Sequence, residues 1–127
     1  MQPRQDDQIQ GDEILWRRLT SPDWIAINID GSRRVSSAAF KGRPEERELS
    51  VHIASLTSVE IVFSTLPYCD ALAELPASCP QQLGREVRRT PEPNDVSHAS
   101  IILQTNYGNR KKDATQMAKN ARLVDRP

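Results

Sequence analysis

The sequence predicts an α+β domain, a small mixed or antiparallel sheet with two or three helices packed on one face. Three observations carry this expectation. Apolar residues alternate over short stretches, as in "WIAINIDG" (residues 24–31) and "LSVHIA" (residues 49–54), the period of half-buried strands. Two other stretches space them as helices do: Val59, Val62, Phe63 and Leu66, then Ala114, Met117, Ala118 and Ala121. The two kinds mix without a strict strand–helix–strand rhythm, and no internal repeat is present. At 127 residues the chain fits one domain. Hydrophobic residues make up 37% and aromatics 5%, so the core must be built from Ile, Leu, Val and Ala.

Residues 1–13 are polar and acidic and read as a disordered tail ahead of a domain over residues 14–124. "ILWRRL" (residues 14–19) is assigned as a strand, with Trp16 and Arg18 on one side and Leu15 and Arg17 on the other. The strand over 24–31 closes on Asp30-Gly31, a hairpin turn signal, and "RRVSSAAF" returns towards Phe40. Gly42 and Pro44 make "KGRPEERE" a charged loop. Leu49, Val51 and Ile53 form the buried side of the clearest strand, with Ser50, His52 and Ala54 opposite. "TSVE" fits a capping box, Thr57 as N-cap and Glu60 reaching back, for a helix that Pro67 ends.

"DALAEL" reads as a strand or a short helix, and Pro76 and Pro80 leave room for one or two helical turns before Gly84. "REVRR" is a polar edge strand, "TPEPN" a rigid loop, and "SHASIIL" (residues 97–103) a buried strand. A C-terminal helix follows, with residues 125–127 fraying.

Lys+Arg and Asp+Glu are equal at 17 each, so net charge gives no argument for nucleic acid or an anionic membrane. No apolar run approaches the ~20 residues of a membrane span. The polar start has no character of a signal or transit peptide, which implies a cytoplasmic and bacterial setting. Cys69 and Cys79 are then expected as free thiols. The scattered glycines form no phosphate loop, and His52, His98 and the cysteines lack metal-ligand spacing, so neither cofactor nor metal is expected. The C-terminal helix is locally basic (Arg110, Lys111, Lys112, Lys119, Arg122 and Arg126) and could grip phosphates, but lacks interleaved aromatics for stacking bases. A solubilising face is its default reading.

Arg33 and Arg34 follow the hairpin turn, and Ser36 and Ser37 precede the entry of Ala38, Ala39 and Phe40 into the core. Small hydroxyl residues there can satisfy backbone groups, so both serines read as structural. The candidate binding surface is Arg34 with Arg17 or Arg18 and His98, the last at a strand mouth after the proline loop, beside Ser36 and Ser37.

"LWRR", "RVSSAAFK", "ELSVHIA", "PEPNDVSHASII" and "ATQMAKNARLV" together resemble a group of small bacterial proteins of uncharacterised function. That likeness covers most of the chain from Leu15 on and implies a free-standing domain without implying an activity. The order of an arginine on a first strand, a Gly/Arg/Ser segment, and a strand running into a helix is similar to ADP-ribosyltransferase-like toxins of the Arg-Glu-Ser type. This resemblance implies that Arg17 or Arg18 holds the diphosphate of NAD, supported by Arg34, that Ser36 or Ser37 orients the ribose, and that Glu60 or Glu74 is the acidic residue. The glycine-tryptophan-asparagine signature after the second arginine is absent. Two classes follow: a non-enzymatic accessory or immunity-like domain that binds another protein, or a compact NAD- or nucleotide-using enzyme. Convergence of an arginine, a serine and a glutamate in one cleft discriminates them.

Overall fold

The computed structural model describes residues 9–66 and 68–127. Its strands are β1 (Ile14–Arg18), β2 (Ile25–Ile27), β3 (Arg33–Val35), β4 (Glu48–Ile53), β5 (Ala71–Pro76), β6 (Val87–Arg89), β7 (His98–Ile102) and β8 (Arg122–Asp125). Its α-helices are α1 (Val59–Ser64), α2 (Ser78–Gln82) and α3 (Arg110–Asn120). Six strands form one sheet in the order β6-β7-β4-β1-β5-β8, and β2 and β3 form a separate hairpin. Every pairing is antiparallel. The chain is thus a small α+β domain, and β6 is an edge strand as its polarity requires.

The sheet is covered on both faces, not one. Leu15, Leu49, Val51, Ile53, Ala73, Leu75, Ala99 and Ile101 project to the larger core, where Ala114 and Met117 of α3 and Phe40 of a 3-10 turn over Ser37–Phe40 close it. Strand alternation sends Trp16 and Leu72 to the opposite face, where Val62 and Phe63 of α1 pack on them with Cys69. β5 is apolar on both sides and so lacks a clean period of two, which explains its helix-or-strand ambiguity. Cys69 and Cys79 belong to different cores and are both free and buried.

Several boundaries move. Residues 1–8 lie outside the described residues, but residues 9–13, expected in the tail, are packed on the domain. Ile9 is buried, its carbonyl accepts from Gln81 Nε2 at 2.7 Å, and Gly11 and Glu13 accept from the amides of Ser78 and Ala77. The N-cap of α1 is Ser58, whose Oγ accepts from the Ile61 amide at 3.2 Å, rather than Thr57. Pro67 lies outside the described residues; α1 ends at Ser64, ahead of it.

The C-terminal end does not fray. After Asn120 the chain turns into β8, which pairs with β5, and the Arg126 amide donates to Asp70 O at 2.9 Å. Arg110, which the sequence counts in the basic surface of the last helix, is 1% exposed. Its guanidinium donates to the carbonyls of Gln104, Arg43 and Glu46 at 2.8, 2.9 and 2.7 Å, tying the charged loop to the start of α3.

Candidate functional site

The β2–β3 hairpin is the element that organises the surface. Its pairing sets Ile25 opposite Val35, Ala26 opposite Arg34 and Ile27 opposite Arg33. Alternation therefore gives one face Ile25, Ile27 and Arg33, and the other Ala26 and Arg34. The tip is braced. Asn28 N donates to Ser32 O at 2.8 Å, Asn28 Nδ2 to Ser32 Oγ at 2.9 Å, and Ser32 N to Asp30 Oδ1 at 2.9 Å. Gly31 supplies the left-handed residue, φ +87°, that a three-residue hairpin loop demands.

On the first face Ile25 and Ile27 line a groove of about 260 Å³ with Leu19, Pro22 and Tyr68, joined by Arg33 and Asp70. Arg33 is spent on an ion pair with Asp125. Asp70 makes no ion pair among the described residues. Ile27 is 74% exposed, Tyr68 79%, and Ile29 at the tip 109%.

On the second face a cleft of about 620 Å³ opens between the hairpin and α3. Arg34, Ser36 and Ser37 line one wall and Thr115, Ala118 and Lys119 the other. Ser36 caps the 3-10 turn, its Oγ accepting from the Ala38 amide at 3.2 Å, as expected of a structural serine. No carboxylate lines this cleft among the described residues.

Three of the six candidate residues, Arg34, Ser36 and Ser37, thus share one site, and the other three do not join it. Arg17 lies in the core beneath the 3-10 turn, its Nε donating to Ala39 O at 2.5 Å and Nη1 to Ser50 O at 2.9 Å, with its guanidinium 4.8 Å from the Trp24 ring centroid. Burial lowers its pKa to about 10, the Glu46 carboxylate opposing that effect and Arg18 adding to it. Arg18 points to the other face of the sheet, where Nη1 donates to Thr65 Oγ1 at 2.9 Å. His98 is on β7, also on that face. Glu60 is on α1, and Glu74 is held there by Trp16 Nε1 at 2.8 Å and by Arg122. The arginine–serine–glutamate constellation implied by the toxin resemblance is not assembled.

His98 belongs to a second polar cluster that spacing alone did not show. His52 and His98 face each other across β4 and β7, their ring centroids 6.2 Å apart and edge to face. Ser97 Oγ donates to Asp95 Oδ1 at 2.5 Å, so towards His52 Nδ1, 3.2 Å away, it can only accept. His52 Nδ1 therefore carries the proton and donates to Asp95 Oδ2 at 3.0 Å. His98 Nδ1 lies 2.8 Å from the Thr90 carbonyl, which fixes the same tautomer. Both rings fasten residues 90–97 to the sheet. Neither Nε2 is hydrogen-bonded to a nucleophile among the described residues, and these residues hold no metal-binding group of three or more His, Cys, Asp or Glu. The cluster is a brace.

No family model, curated protein or solved structure matches this chain. The reading of its function rests on the surface just described. Among the described residues no helix is long and apolar enough to cross a membrane.

Proposed function

We propose that the chain is a small non-enzymatic accessory domain that binds another protein, docking an apolar segment of that partner on the outer face of the β2–β3 hairpin. The observation that carries the reading is Ile29, fully exposed at a tip that three side chains brace by hydrogen bonds. A hairpin of this type needs Asn, Asp and Gly to fold; it does not need an isoleucine in solvent. Holding the tip rigid lowers the entropy lost when a partner covers it. Ile27 and Tyr68 extend the apolar surface down the groove, and covering a large aliphatic side chain contributes about 1.5–3 kcal/mol. Asp70 gives the groove a carboxylate with no ion pair among the described residues, so the fitting segment presents two or three large apolar side chains and one cation.

The test is selection of peptides from a displayed random library on the full chain, followed by titration of synthetic peptides against wild type and an Ile27→Asp/Ile29→Asp variant. Enriched peptides should be apolar with a Lys or Arg, and should bind the variant at least about tenfold more weakly at unchanged thermal stability. Peptides that bind both proteins equally, or no enrichment at all, would sink the proposal.

A further inference from the structure

The cleft on the opposite face of the hairpin has a different chemistry, and the geometry points to a binding site for a phosphate ester of a small organic molecule. Arg34 makes one side-chain hydrogen bond, Nε to Asn28 Oδ1 at 3.0 Å, which orients the guanidinium and leaves both terminal nitrogens without a partner among the described residues. Among the described residues Lys119, on the facing wall, makes no ion pair, and Ser37 Oγ makes no hydrogen bond. Ser36 Oγ accepts from Ala38 N, so its own proton remains to donate. Thr115 is already spent as a donor, on Lys111 O at 2.9 Å.

Two cations and two hydroxyl protons thus face one space that no carboxylate among the described residues enters. A phosphoryl dianion, with three oxygens to satisfy, matches four such donors better than a carboxylate with two. Ala118 and Ala121 give the cleft an apolar lining against which an uncharged organic body can lie, and its volume of about 620 Å³ is in the ordinary range of small-molecule sites. In a chain of zero net charge, these cations meet no acid among the described residues although acids are as numerous as bases. Asp113, the nearest acid on α3, is turned inward to Arg85 and Gln104.

Calorimetric titration of the full chain with ribose 5-phosphate and ADP, against ribose and adenosine, tests the site. The phosphorylated member of each pair should bind at least about tenfold more tightly, and Arg34→Gln/Lys119→Gln should remove that advantage. Ala118→Leu, which fills the cleft without touching its charge, should abolish binding, whereas Lys111→Gln/Lys112→Gln, further along α3, should leave it intact. Thermal melts of each variant confirm folding. Absence of any phosphate advantage, survival of it in Arg34→Gln/Lys119→Gln, its loss in Lys111→Gln/Lys112→Gln, or tighter binding of a polyglutamate peptide would each overturn the inference.

Discussion

His52 is 5% exposed, with Asp95 and Ser97 on its Nδ1, His98 beside it and the Arg18 cation nearby. Burial lowers its pKa below the ordinary value; Asp95 pulls the other way, and Arg18 and His98 reinforce the lowering. The unfolded chain therefore takes up this proton at a higher pH than the folded one. The stabilisation is complete above the unfolded value of about 6.5 and is lost as pH falls towards the lowered folded value. For Asp95, burial alone would raise the pKa, but the Ser97 hydrogen bonds and both histidines outweigh it and hold the carboxyl below its ordinary range. That contribution disappears in a separate, more acidic window. Urea midpoints of wild type and His52→Gln, measured between about pH 7 and 5, should fall more steeply for wild type. Parallel slopes would show that His52 titrates as it does unfolded.

Capping gives a sharp test at the scale of elements. Ser58 Oγ satisfies the Ile61 amide, so Ser58→Ala should cost about 1 kcal/mol in a denaturant titration, with Thr57→Ala nearly silent. The reverse order would restore the capping box that "TSVE" suggests. That motif fitted one residue early because Thr57 and Ser58 are both good caps, and only the turn over Ala54–Leu56 decides between them. Strands β4 and β7 were legible because one face of each is apolar and the other carries Ser and His. β8 was not, because Ala121 continues the spacing of α3, and four residues are too few to establish a new period. Trp24 to Ile29 alternates well, yet only Ile25–Ile27 is strand, in a hairpin apart from the main sheet. Alternation does not report which sheet a strand joins.

For the whole molecule, the limit of the sequence is charge. Arg17 and Arg110 are buried by backbone carbonyls from segments far along the chain, and no local pattern announces such acceptors. Arg17, one of the two arginines the sequence offers as a partner for Arg34, belongs to the core. Arg34, Ser36 and Ser37 were found together because they are near neighbours in sequence. Thr115 and Lys119, which complete their cleft, come from a helix far later in the numbering. A long separation in sequence also hid the apolar groove, which Tyr68 and Ile27 line together only through the fold. Hydrogen exchange of the full chain with and without the tightest selected peptide tests the central proposal most directly. Partner docking on the hairpin predicts new protection confined to residues 19–33 and 68–70, with the strands β4 and β7 unchanged. Protection confined to residues 34–37 and 111–121, or to the exposed edge at β6, would contradict it.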